Sequence, residues 1–374
     1  MKILVTGSRG FVGKNLMATL NYLDYEVVTF NRDNSLQDLK DMVLDVDFIV
    51  HLAGSNRPIN TDDFYSVNAD LTKELVNAIE NTGRAIPILL SSSIQALNDS
   101  DYGKSKLSGE NIVIDYAKRS GAQAYIYRYP NLFGKWSQPN YNTVIATWCH
   151  NISRDLPIQI NDSNVEIELA YIDDVIEEII NAIEGKGNHI YNYFFEVSNT
   201  SKVSLGRIIK LLKFFKASRK SLFLPNMSKG FETQLYSTYL SFIPTDQFSY
   251  PLTMHQDHRG SFTEFLKTND RGQVSINISK PGITKGEHWH HSKNEKFLVV
   301  SGEGVIQLRD VYSEKVVEYS VSGAKLEVVD IPTGYTHNII NIGNEDMVTV
   351  MWVNEPFDPN HPDTYYEVVN NDIK

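Results

Sequence analysis

The sequence predicts an alternating α/β domain built on a parallel sheet, followed by a smaller all-β barrel. Three observations lead there: a rhythm of short apolar runs, a change in that rhythm near residue 245, and glycines placed between a first strand and a first helix.

Over the first two-thirds, apolar runs alternate with helical patterns: Lys2–Thr6, a helical Val12–Leu23, Glu26–Phe30, Phe48–Leu52, a helical Leu71–Glu80 and Ile86–Ser91. Such alternation makes βαβ units. Around Ser241–Gln256 the pattern breaks at Pro244 and Pro251, and beyond it apolar residues tend to alternate with polar ones. Candidate strands there are Gln273–Ser279, Glu295–Ser301, Val305–Arg309, Lys325–Ile331 and Met347–Trp352, which fit a small antiparallel barrel. The expected division is residues 1–245 and 246–374. One further segment, Gly206–Lys220, reads as an amphipathic basic helix whose apolar face packs on its own domain.

A chain of 374 residues with 41% hydrophobic content can bury a sizeable core and exceeds the usual single-domain length. Its formal net charge of −11 argues against a nucleic-acid backbone as partner, so an anionic ligand must meet local positive groups. Cys149 is the single cysteine, which excludes an intrachain disulfide and fits a reducing compartment. Met1 leads straight into an apolar strand, and no apolar run reaches membrane-spanning length. The expectation is a soluble cytoplasmic protein without stable membrane insertion.

Gly7, Gly10 and Gly13 follow the first strand and open a helix. Side chains there would block a tight turn and the approach of backbone amides to a pyrophosphate resting on the helix N-terminus. The second strand ends in Asn31 and Arg32 rather than in a carboxylate. Arg32, helped by Arg9 in the glycine loop, can pair with a ribose 2′-phosphate, which favours NADPH over NADH, although Asp33 follows directly. Ala53, in the run His51-Leu-Ala-Gly54, joins the candidate cofactor contacts.

Ser91-Ser92-Ser93 close a predicted strand, and Tyr102-Gly-Lys-Ser-Lys106 follows. Tyr102 and Lys106 share one helical face, where the ammonium is expected to lower the tyrosine pKa; Tyr102 then protonates a ketone oxygen that Ser93 holds. Lys106 also counts among the cofactor contacts. In this order, with His51–Gly54 and Asn68 upstream, the chain resembles the extended short-chain dehydrogenase/reductase family over most of residues 1–245. The resemblance implies a Rossmann-type doubly wound sheet. It also implies substrate-facing roles near Arg128-Tyr-Pro-Asn131 and a boundary of the sugar-binding part near Tyr171-Ile-Asp-Asp174. Family dehydratases carry an acidic pair where this chain has Ser93-Ile94-Gln95, and the short gap from Ser93 to Tyr102 is closer to the 4-keto-sugar reductases.

His288 and His290 lie two apart on a predicted strand, so both rings leave one face. Glu295 follows, and His337 comes in a later Pro332-Thr-Gly334-Tyr-Thr-His337 segment. Three imidazoles and a carboxylate suit a divalent transition metal, with zinc expected. Gly282, His288, His290, Glu295 and Gly302, then Pro332, Gly334, His337 and Asn341, resemble the two motifs of the cupin family, a jelly-roll barrel, with Leu326 in place of one turn glycine. Asp257-His-Arg259-Gly-Ser-Phe-Thr-Glu264 resembles the opening of the nucleotide-sugar 3,5-epimerases, where an Arg and a Glu help hold the nucleotide. The two resemblances assign His288 differently; ligation is the expectation here, and the proton-abstracting residue is left unassigned.

A 4-ketone acidifies the C3 and C5 hydrogens of a sugar, so epimerisation must precede reduction. The combined resemblance is to bifunctional enzymes of capsular-polysaccharide synthesis. It implies C3 epimerisation of a UDP-2-acetamido-2,6-dideoxy-4-hexulose in the cupin and NADPH reduction at C4, towards UDP-N-acetyl-L-fucosamine, by a homodimer. A ketoreductase with a structural or regulatory cupin, and a non-enzymatic sensor of NADPH and sugar nucleotide, stand as alternatives.

Overall fold

The first strand, β1 (Lys2–Thr6), is buried from Ile3 onward because both of its faces are covered. Ile3 and Val5 join one apolar cluster with Leu16, Val175 and Ile179, while Leu4 joins the other with Leu75, Ile79 and Val113. Helices therefore cover the sheet on both sides. The structure, a computed structural model, describes residues 1–57, 60, 62–228 and 230–370.

In the first part of the chain come β2 (Glu26–Phe30), β3 (Phe48–His51), β4 (Ile88–Ser93), β5 (Ala124–Tyr129), β6 (Asn131–Phe133), β7 (Glu166–Tyr171), β8 (His189–Tyr191), β9 (Phe194–Phe195) and β10 (Thr200–Ser204). The main sheet runs β2-β1-β3-β4-β5-β9-β8, parallel except for β8, and a three-stranded sheet runs β10-β7-β6. The order turns back at β1, so the carboxyl ends of β1 and β3 border the crevice where such sheets bind ligands.

The second part holds β11 (Met254–Asp257), β12 (Gly260–Lys267), β13 (Gln273–Ser279), β14 (Thr284–Trp289), β15 (Glu295–Ser301), β16 (Glu303–Asp310), β17 (Val316–Ser322), β18 (Val328–Ile331), β19 (Tyr335–Asn341), β20 (Met347–Val353) and β21 (Tyr365–Tyr366). These form sheets of order β11-β12-β13-β20-β15-β18 and β17-β16-β19-β14-β21, antiparallel throughout. Phe297, Ile306, Ile331, Ile339 and Met347 belong to its core.

The expected class holds in both parts, and the differences lie at element ends. The first helix, Phe11–Leu20, stops three residues short of Leu23, with Asn21 and Tyr22 turning back by hydrogen bonds to Met17 and Thr19. β4 begins two residues late because the Ile86 amide bonds the Tyr116 hydroxyl, and the strand runs on to Ser93. β18 is shorter than its expected run because Ser322 and Lys325 bridge in a turn.

Two compact units emerge, the first made of Met1–Lys213 with Gly230–Pro244, the second of the remainder. The basic helix, Leu205–Ser221, does not stay within one domain, since the division falls inside it. Its continuation joins the second unit through main-chain bonds between Leu222, Leu224 and Lys267. Among the described residues no helix is long and apolar enough to cross a membrane.

One irregularity in the barrel sets the geometry of the histidines. β14 and β19 pair with a bulge between Gly286 and His288, placing His288 opposite His337. Gly286 sits at φ 105°, and a Cβ there would lie 2.7 Å from the His337 carbonyl oxygen. Glu287, the extra residue, is itself at φ 61°. Gly286→Ala is therefore expected to cost about 1–3 kcal/mol in denaturant-induced unfolding; an unchanged midpoint would show that the bulge relaxes freely.

Candidate functional site

The glycine loop has the shape its residues dictate. Gly7 is at φ 70°, and a Cβ on Gly13 would stand 2.3 Å from the Gly7 carbonyl oxygen. Gly10 caps the Phe11–Leu20 helix without a side chain, leaving its first amides open to an anion. Ala53 lies on the other wall, its amide donating to Thr6 Oγ1 at 3.1 Å. Buried His51 bridges Thr6 and Thr72, and burial pushes its imidazole down to about 3, so it is neutral.

The two arginines expected at the ribose are placed unequally. Arg9 forms a two-pronged pair with Asp33 at 2.9 and 3.0 Å, and Arg32 is exposed. The Asp33 carboxylate thus holds Arg9, and a 2′-phosphate binding there would have to displace it. The Arg9 amide and Ser8 meet the Asn31 side chain, which orients the loop towards the end of β2.

Ser93, Tyr102 and Lys106 come together at the end of β4 and the start of the helix Asp101–Ser120, which Ser100 caps. Lys106 Nζ donates to the Ser91 carbonyl at 2.9 Å, and a Cβ on Gly54 would lie 3.0 Å from that nitrogen. Burial lowers the Lys106 ammonium to about 8, against the opposing pull of Glu110. The expectation of a lowered Tyr102 pKa is corrected: burial raises it, the Ser93 hydrogen bond lowers it only partly, and Tyr141 adds to the rise. Low dielectric around the phenol outweighs a cation directed at Ser91. The phenol keeps its proton at neutral pH, the state a proton donor needs.

Arg128, expected near the substrate, is held by its neighbours. Its guanidinium makes a two-pronged pair with Glu110 at 2.9 and 2.6 Å and lies over the Phe194 ring. Glu110 is fully buried and also accepts from Ser92 Oγ at 2.5 Å. A buried carboxylate demands such a partner, and Arg128 is the cation that meets it. Glu110 was missed at the sequence level, although its position four residues after Lys106 puts it on the same helical face. Asn131, exposed, donates to the Glu168 carbonyl at 3.3 Å.

In the second unit, His288, His290, Glu295 and His337 present ligand atoms that all lie within 4.8 Å of one another. β14 and β19 carry His288 and His337 in one sheet, β15 carries Glu295 in the other, and His290 follows β14 directly. Nε2 of His290 and of His337 and Oε2 of Glu295 are buried without a hydrogen-bond partner. Burial, then His337 and His290, push the His288 imidazole down to about 4. Burial raises the Glu295 carboxyl, but His290 and His337 outweigh it and hold it down to about 2. A neutral His288 imidazole beside the buried, unsatisfied Nε2 atoms of His290 and His337 and the Glu295 carboxylate fits a divalent cation. His291 turns away, stacking edge-on against Trp289 and Tyr365. Arg259 pairs with Asp257 at 2.7 Å and Glu264 with Lys267 at 2.8 Å, so both candidate nucleotide contacts are engaged by their neighbours.

This is the architecture of a short-chain-type reductase fold joined to a cupin barrel. By family the chain belongs to the NAD dependent epimerase/dehydratase family, matched over residues 3–193, and residues 255–365 match the polysaccharide biosynthesis C-terminal domain. It is a homologue of the capsular polysaccharide assembling protein CapF of Staphylococcus aureus, with 56% identity and a TM-score of 0.93 over 99% of this chain and 100% of that one. A UDP-2-acetamido-2,6-beta-L-arabino-hexul-4-ose reductase of Pseudomonas aeruginosa is 47% identical over 98% of each chain. A UDP-glucuronic acid 4-epimerase of Bacillus cereus, 21% identical with a TM-score of 0.55 over 65% of this chain and 96% of that one, shares the fold of the first part.

Two outcomes follow for the Glu110 cluster. Glu110→Gln leaves Arg128 without its counter-charge and is expected to cost about 3–5 kcal/mol in chemical denaturation, where wild-type stability would show the pair to be effectively solvated. Lys106 holds its proton below its lowered pKa of about 8. Dinucleotide affinity, read by fluorescence titration, should therefore weaken as pH rises through that value, and at lower pH in Glu110→Gln; coincident profiles would contradict the coupling.

Proposed function

We propose that the chain acts on a UDP-linked 2-acetamido-2,6-dideoxy-4-hexulose in two steps. The cupin epimerises C3, and the first unit then reduces the C4 ketone with NADPH, towards UDP-N-acetyl-L-fucosamine. The observation that carries this reading is the presence, on one chain, of a protonated Tyr102 beside Ser93 and a buried donor set with unsatisfied lone pairs. The substrate named for the Pseudomonas reductase and the likeness to CapF support the sugar and its place in capsular-polysaccharide synthesis.

In the reductase half, Tyr102 delivers a proton to the C4 oxygen while the Ser93 hydroxyl donates a hydrogen bond to it. The Lys106 ammonium adds positive charge beside the cofactor ribose. Gly7, Gly10, Gly13 and Ala53 line the dinucleotide, and Arg9 and Arg32 select the 2′-phosphate form. When bound, NADPH supplies the hydride. In the cupin half, His288, His290, Glu295 and His337 hold the metal, proposed to be zinc, which when bound supplies a Lewis-acidic charge for an enolate oxygen. Arg259 and Glu264 contact the nucleotide once released from Asp257 and Lys267, and Asn131 contacts the sugar in the reductase half. Division at residues 245/246 and a homodimer complete the proposal; light scattering decides the latter.

Following NADPH absorbance with the UDP-linked keto-sugar in deuterated water should show cofactor consumption and, by NMR, deuterium at C3 of the product. NADPH loss without C3 exchange would assign the cupin a structural role, and no NADPH turnover would overturn the reductase. Tyr102→Phe is expected to lower kcat by about 10²–10⁴-fold, while an unchanged kcat would remove Tyr102 as proton donor.

A further inference from the structure

We propose that the segment Pro362–Val369 is a constituent of the candidate metal centre and that Asp363 is its positioning residue; this rests on the metal reading of the four ligands. The Asp363 carbonyl oxygen lies 2.5 Å from His290 Nδ1. A carbonyl only accepts, so Nδ1 carries a proton and donates it, which leaves Nε2, 3.6 Å from Glu295 Oε2, as the ring atom available to a metal. That is the outer hydrogen bond that fixes the tautomer and direction of a metal-ligating histidine.

The same residue fastens the turn after His290. Its carboxylate accepts from the amides of His291, Ser292 and Lys293 at 3.0, 2.8 and 3.1 Å and from the Ser292 hydroxyl at 2.8 Å. In the reverse direction, the buried Lys293 ammonium donates to the Pro362 carbonyl. Asp363 holds φ at 38°, a conformation that a non-glycine residue keeps only when its surroundings enforce it.

Beyond Asp363 the segment runs along the other ligand-bearing strands. Tyr366 pairs with His288 and Tyr365 with Trp289. Glu367 N donates to the Glu287 carbonyl at 3.0 Å, and Val369 N to Glu287 Oε2 at 2.7 Å. Thr336, beside His337, donates to the Glu367 carbonyl. Arg309 closes the set with bonds to Glu367 at 2.7 Å and to the Val368 and Val369 carbonyls at 2.9 Å each. Residues some seventy positions after His290 thus determine where its imidazole points.

The test is zinc binding to the full chain by competition with a chromogenic chelator, together with the visible spectrum of the cobalt-loaded protein. Asp363→Ala should weaken zinc by about 10–100-fold and alter the cobalt bands, and Asp363→Asn, which keeps one acceptor oxygen, should recover part of both. Glu295→Ala, a ligand deletion, should lose more affinity than either. If Asp363→Ala binds zinc as wild type while Glu295→Ala does not, the segment plays no part in the metal centre and the ligand set stands. If Glu295→Ala binds as tightly as wild type, or wild type takes up no zinc, the metal reading falls and this inference with it. Denaturant-induced unfolding of the second unit, followed by the fluorescence of its tryptophans Trp289 and Trp352, serves as a folding check on the variants. Should Asp363→Ala prove unfolded, Asp363→Asn carries the comparison by the same two readouts.

Discussion

Burial of groups that prefer to be charged is the constraint on which this molecule depends. In each unit a carboxylate is withdrawn from water, and the surrounding polar side chains are arranged by the need to answer it. Glu110, inaccessible to solvent, is met by Arg128 and Ser92. Because Ser92 lies between the Ser91 carbonyl that holds Lys106 and the Ser93 hydroxyl beside Tyr102, the ion pair fixes the strand end on which the candidate catalytic groups sit. In the cupin, Glu295 Oε2 lies 3.0 Å from His337 Nε2, both buried without a hydrogen-bond partner, a close approach that a cation between them would satisfy.

The same physics separates what the sequence made legible from what it did not. Periodicity placed β1 and β2 to the residue, since each carries a short apolar run, Ile3–Val5 in the buried β1 and Val27–Val28 in the half-buried edge strand β2. The candidate metal-ligand set was legible as a cluster for a different reason: two imidazoles on one strand face, a following carboxylate and a late histidine make a pattern with few other uses. Electrostatic partners were not legible. The pairing of Arg128 with Glu110 had no signal, because a pairing between a helix and a neighbouring strand leaves no local pattern. Asp33 was noted beside Arg32, yet it grips Arg9 instead. Asp363 had no signal at all, as its partners lie about seventy residues earlier. The sign of the Tyr102 shift was misjudged because helical spacing shows proximity and says nothing of solvent access.

The chemistry assigned to the two units has an order built into it. A ketone makes the neighbouring C–H labile, and reduction removes that lability, so the epimerisation proposed for the cupin would have to come first. Each unit holds its own polar machinery within its own core: the Glu110 cluster belongs to the doubly wound sheet, and the Glu295 cluster lies between the two sheets of the barrel. The two chemistries should accordingly be separable by mutation.

The most direct test supplies Glu295→Gln with the 4-keto-sugar in both C3 configurations. The account predicts NADPH oxidation at the wild-type rate on the epimerised ketone and none on its C3 epimer. Equal impairment on both, or equal turnover on both, would contradict a division of the reaction between the barrel and the reductase.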